Sequence, residues 1–212
     1  MQKNGIDKKI SKSNSNVLIS TLLIFYALLT SFVINPLLLT KVDNGGFFIN
    51  LHSIVLYLTC ILSISIFCKP FYETKNLIIS KKRKILAGSV ILCFLIIKIV
   101  FVIYAKQRLT SDSLTRFNIF AFVSYCLSGF AEELLFRFLI YSKILKKYLY
   151  KIFSIIIVSL LFAICHGQLN LTLIPLFLMG LLYTILYEIW PNFFVIGLFH
   201  SLWNVFSCIL GM

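Results

Sequence analysis

The chain has 212 residues, of which 60% are hydrophobic and only 13% charged, with a formal net charge of +13. A soluble domain carries about 25% charged residues, so together with a mean hydropathy of +0.98 the composition excludes an ordinary soluble enzyme and implies a polytopic membrane protein. The basic excess reads as membrane topology and not as a nucleic-acid surface, because no basic patch interleaved with aromatics accompanies it.

Met1 to Ser15 is polar and contains Lys3, Lys8, Lys9 and Lys12. The apolar run from Val17 to about Leu39 is too long for a signal-peptide core and lacks a small-residue cleavage site, so it is expected to be an uncleaved first span. A loop with Asp43-Asn44-Gly45-Gly46 leads to a second span, about Phe47 to Cys68. The connector after it holds Lys69, Lys75, Lys81, Lys82, Arg83 and Lys84. A third span, about Ile85 to Tyr104, contains Lys98, which either faces the bundle or snorkels. The fourth runs from Phe117 to Tyr141 and is followed by Lys143, Lys146, Lys147 and Lys151. The fifth, sixth and seventh cover about Ile152 to His166, Leu171 to Tyr187 and Phe193 to Gly211. Each approaches the ~20 residues a bilayer crossing needs.

The expectation is therefore an all-α transmembrane bundle of about seven spans, forming one membrane-embedded domain over residues 1–212. Placing the N-terminus in the cytoplasm puts most of the Lys and Arg residues on that side, against Lys41, Lys106, Arg108 and Arg116 on the other, as the positive-inside rule requires. The six cysteines fall mostly in apolar runs without CxxC spacing and read as small buried hydrophobes.

Within the fourth span, Glu132, Glu133 and Arg137 place two carboxylates and a guanidinium in one short apolar stretch. A charge at the bilayer centre costs about 2.5–3.5 kcal/mol on insertion scales, so each calls for a partner. Glu133 and Arg137 are four apart on one helical face and can pair. Glu132 is turned about 100° from Glu133 at the helical period and must find its partner on another helix or in water. Such a carboxylate is a candidate general base. His166 ends the fifth span, four residues after Phe162, and His200 and Asn204 in the seventh are four apart as well. Convergence of these groups on one site satisfies all of them together. Depth gives a partial check, since at 1.5 Å per residue Glu132, His200 and His166 lie roughly 14, 11 and 21 Å from the cytoplasmic ends of their spans. His52, Glu188 and Trp190 sit at span ends and read as interfacial.

Glu132-Glu133-x-x-x-Arg137, Phe162-x-x-x-His166 and His200-x-x-x-Asn204, in that order, resemble the three-motif signature of the CPBP family. That family of intramembrane proteases includes CAAX prenyl endopeptidases and bacterial Abi-type proteins linked to bacteriocin processing and self-immunity. The resemblance covers about 117–206; Phe138 stands where many members have Gly, and the first half of the chain carries no signature.

The resemblance implies an intramembrane endopeptidase acting on a membrane-associated peptide or a lipid-anchored protein, with a site open to the cytoplasm; composition and short length point to a bacterial cell membrane. It implies that Glu132 and His166 activate water, that His200 and Asn204 stabilise the oxyanion, and that Glu133 and Arg137 support the helix carrying the base. A metalloprotease reading stays open, because Glu132, His166 and His200 could supply three ligands to a zinc ion. So does a non-catalytic alternative, a bacteriocin-immunity or partner-binding protein that keeps the protease motifs. A transporter is disfavoured by the lack of an inverted repeat.

Overall fold

The computed structural model describes residues 45–68, 79–106, 119–166 and 171–209. Among them there are six helices and no strand. They are α1 (Gly45–Cys68), α2 (Lys81–Lys106), α3 (beginning as Ile119–Glu132), α4 (Lys151–Cys165), α5 (Leu173–Ile189) and α6 (Phe193–Ile209). The second to seventh predicted spans each correspond to one of these helices. The predicted first span, Val17 to Leu39, lies outside the described residues. Two helical stretches, Lys81–Phe101 and Ile119–Tyr148, are long and apolar enough to cross a membrane; Lys151–Cys165, Leu173–Ile189 and Phe193–Ser207 are shorter apolar helices.

Local chemistry sets several helix ends. Ser80 starts α2, its hydroxyl and carbonyl both accepting from the Arg83 amide at 3.4 and 3.1 Å. Asn192, after Pro191, caps α6 through Oδ1, which accepts from the amides of Phe194 and Val195 at 3.0 and 3.3 Å. Both satisfy amides that a helix start leaves without intrahelical partners. Inside the helices, Ser142, Ser159 and Thr184 donate back to carbonyls four residues earlier at 2.6–2.8 Å. That arrangement lets a hydroxyl sit in an apolar medium without an outside partner.

α3 is the central element. After Glu132 its backbone passes into a π-helical stretch, Glu133–Leu145, and it ends in one α turn, Lys146–Tyr148. It therefore extends a turn and more past Tyr141, where the sequence pattern suggested an end. α6 and α1 pack along its first part, and α4 pairs closely with α5.

Close approach depends on two glycines. A Cβ at Gly129 would fall 2.8 Å from Ser201 Cα, and one at Gly180 would fall 3.0 Å from the Ser159 carbonyl oxygen. Without side chains at these points the α3–α6 and α4–α5 backbones come near enough for cross-helix bonds such as Ser201 Oγ to the Cys126 carbonyl at 2.6 Å. The core between the helices is made of Leu134, Phe138, Leu139, Phe162, Tyr183, Ile196, Phe199 and their neighbours. α2 lies at the side, with Ala87 and Lys98 buried and Leu92, Ile96, Ile97 and Val100 exposed. Lys98 faces the bundle: its ammonium donates to Ser207 Oγ at 2.9 Å and lies 4.6 Å from the Trp203 ring centre.

Candidate active site

The site forms where α3 changes from α to π geometry. Glu133 and Arg137 are completely buried and paired at 3.1 Å between Oε1 and Nη1, the ion pair that their spacing suggests. The pair does not stand alone. Arg137 Nη2 donates to the Gly180 carbonyl of α5 at 3.1 Å, and its guanidinium lies over the Phe162 ring of α4 at 4.5 Å and near the Tyr183 ring at 5.2 Å. The same oxygen, Glu133 Oε1, accepts a hydrogen bond from His200 Nδ1 at 2.9 Å. One buried carboxylate thus joins the second half of α3 to α6, and one buried guanidinium joins it to α4 and α5.

Glu132 points differently. Its Oε2 lies 3.7 Å from His200 Nε2 and 3.9 Å from His166 Nε2, and its side chain is 17% exposed. Three residues from three helices, which the sequence placed at 132, 166 and 200, therefore meet at one point. Glu132 Oε2 is buried and has no hydrogen-bond partner. A buried carboxylate oxygen without a donor is costly and suits a reacting group better than a structural one.

Hydrogen bonding fixes the tautomers of both histidines. His166 Nδ1 is 2.8 Å from the Phe162 carbonyl, which can only accept, so Nδ1 carries the proton. The same holds for His200 Nδ1 against the Glu133 carboxylate. In the neutral form each ring therefore turns a bare Nε2 towards Glu132, the orientation that a partner on Nδ1 imposes. His166 is one-third exposed and His200 is buried.

Asn204 is placed one turn further along α6. Its Nδ2 donates to Ser128 Oγ at 2.9 Å, and that hydroxyl donates to the Tyr125 carbonyl at 3.0 Å. Ser128 lies four residues before Glu132, as Asn204 lies four after His200, so the two helices are in matched register here. The structure thus brings Glu132, His166 and His200 together and holds Asn204 beside them through Ser128.

Three contributors carried no signal in the motif spacing. They are Ser128, the Gly180 carbonyl, and Tyr183, whose ring stacks on His200 with centroids 4.4 Å apart. From α1, Tyr57 and Cys60 lie within electrostatic reach of Glu132, as does Cys165 of α4.

Among the described residues no group of three His, Cys, Asp or Glu side chains is placed to hold a metal ion. Glu132, His166 and His200, the residues that would hold a zinc ion, do not form such a group.

Residues 115–206 match the family described as type II CAAX prenyl endopeptidase Rce1-like. The UPF0177 protein YvdC of Lactococcus lactis subsp. lactis (strain IL1403) is 36% identical over 86 residues, which make up 40% of this chain and 32% of that protein. The similarity thus spans about a third of the curated relative. No solved structure matches the chain.

Proposed function

We propose, from the match of residues 115–206 to the Rce1-like type II CAAX prenyl endopeptidase family, that the protein is an intramembrane endopeptidase. It hydrolyses a peptide bond of a membrane-associated peptide or lipid-anchored protein, with its N-terminus in the cytoplasm. The observation that supports this best is the approach of Glu132 Oε2 to two imidazole nitrogens, His200 Nε2 at 3.7 Å and His166 Nε2 at 3.9 Å.

In this reading Glu132, assisted by His166 Nε2, takes a proton from water as its oxygen attacks the carbonyl carbon. The tetrahedral oxyanion is met by His200 and Asn204. An imidazole already donating through Nδ1 offers a second N–H at Nε2 only when doubly protonated. The proton held by Glu132 and His166 then passes to the leaving nitrogen as the C–N bond breaks. Proton transfer of this kind contributes roughly 10²–10⁴-fold, and a single oxyanion donor roughly 10²–10³-fold. Processing of a bacteriocin leader, or self-immunity by proteolysis, is the biological setting that we propose for it.

The test is cleavage of a panel of leader and CAAX peptides by liposome-reconstituted protein. Turnover should fall by at least about 10²-fold in Glu132→Ala and persist with a chelator present. Equal cleavage by wild type and Glu132→Ala would overturn the proposal, and loss on chelation with recovery on added zinc would restore the metal reading.

A further inference from the structure

His200 is held at only one of its nitrogens. The bond from Nδ1 to Glu133 and the covalent Cβ–Cγ bond anchor one edge of the ring. The opposite edge, which carries Nε2, can still rock about that anchored edge. What packs against the face of the imidazole limits this rocking.

Tyr183 does this by position. Its ring is 28° from parallel to the imidazole, with centroids 4.4 Å apart. It is itself wedged edge-on against Phe199 at 5.5 Å and Phe162 at 6.2 Å, with the Arg137 guanidinium 5.2 Å from its centre. It is almost completely buried and cannot rotate without displacing one of these neighbours. Shape alone would be met by any apolar side chain of similar volume, whereas a flat face parallel to the imidazole requires an aromatic ring. The hydroxyl is buried and without a hydrogen-bond partner, so the ring is the part of the side chain that is engaged.

We propose that Tyr183 is a positioning residue for the reaction, its ring fixing the plane of His200 so that Nε2 stays aimed at the space beside Glu132. This rests on the hydrolytic reading above. Tyr183 acts through His200 and touches neither the attacking water nor the scissile bond. It follows that Phe replaces it and an aliphatic residue does not.

The full-length protein in liposomes would be compared as wild type, Tyr183→Phe and Tyr183→Leu on one cleaved peptide, with rates normalised to folded protein. Tyr183→Phe should keep kcat within about threefold, while Tyr183→Leu lowers it by roughly 10²-fold with little change in KM, the scale expected for a misplaced catalytic group. The pH profile should superimpose for wild type and Tyr183→Phe and shift for Tyr183→Leu, which a purely structural loss would not produce. Undiminished kcat in folded Tyr183→Leu would overturn the proposal, as would an equal loss in Tyr183→Phe.

If Tyr183→Leu does not fold, Tyr183→Met serves the same comparison. The NMR order parameter of the His200 ring gives a readout independent of turnover: a rigid imidazole in wild type and Tyr183→Phe, a lower order parameter in the aliphatic variant. A ring equally rigid in a folded aliphatic variant would also overturn it. Absence of cleavage of every peptide by wild type would sink the hydrolytic reading alone and leave the order-parameter comparison to decide the role of Tyr183.

Discussion

Arg137 shows what a buried charge needs to be tolerated. Its side chain is inaccessible, and around it stand one carboxylate, one backbone carbonyl and the faces of three aromatic rings. A planar guanidinium can serve all of these at once; a lysine ammonium is a compact point charge and cannot. Removing one partner of a buried pair leaves the other uncompensated and costs about 3–5 kcal/mol. Arg137→Met should therefore lower thermal stability in detergent sharply, and Arg137→Lys should recover little of it. The double variant Glu133→Gln/Arg137→Met should be more stable than Arg137→Met alone, because it removes the orphaned charge as well. The pairing of 133 with 137 was legible in the sequence because helical spacing relates neighbours four apart. The partners of Glu132 were legible only as a set of buried polar residues needing one another. Gly180 and Ser128 were not, since nothing local ties positions 43 and 76 residues apart.

At the level of the helix, α3 departs from the regular period at the point where function is proposed. π geometry is rare, is most often a single turn, and frequently occurs at functional sites; here it occupies Glu133–Leu145. The sequence pattern anticipated an α-helix through Tyr141, because hydrophobic periodicity in a span apolar on most faces does not distinguish the two. The length of this element was thus a part of the fold that the pattern could not supply. Upstream of the change, Gly129 lets α6 sit against α3. In Gly129→Ala the added methyl meets the backbone of Ser201, a group that cannot step aside. Overpacking of this kind costs about 1–3 kcal/mol, and the shift it forces should reduce cleavage through the Glu132–His200 spacing. A methyl added at Gly88 on α2 would meet nothing within 4 Å, so Gly88→Ala should leave cleavage intact and raise stability by about 0.5–1 kcal/mol, the helical cost of glycine. Thermal unfolding and turnover of the two variants, measured side by side, check both outcomes.

At the scale of the molecule, polar and apolar groups among the described residues are sorted as a bilayer would sort them. Leu92, Ile96, Ile97 and Val100 of α2, Ile156 and Leu160 of α4 and Ile174 and Leu178 of α5 are exposed, a distribution that water would penalise and lipid would not. Charges gather at one end, where Glu188 receives Lys146 at 2.6 Å and Lys151 at 2.5 Å. This cluster links the end of α3, the start of α4 and the end of α5. Composition alone made the helical, membrane character of the chain legible, because hydropathy measures the solvent that a segment prefers. The proposed orientation places this charged end in the cytoplasm. With the native cysteines replaced, Lys147→Cys should resist an impermeant thiol reagent in intact cells and react in inverted vesicles. Labelling in intact cells would reverse the orientation.

Phe162 touches more of this centre than any one motif would suggest. Its carbonyl holds the proton of His166, its ring faces the Arg137 guanidinium, and both imidazoles lie within 4.7–5.7 Å of its centre. Substitutions at 137, 166 and 200 therefore share a neighbour, and their effects will not add. A double-mutant cycle between Phe162→Leu and any of the three should show a coupling of about 0.5–3 kcal/mol, as residues with common contacts do. The order in which such changes accumulate in a lineage then matters: a replacement at 162 sets the terms on which every later change at the other three positions is tolerated.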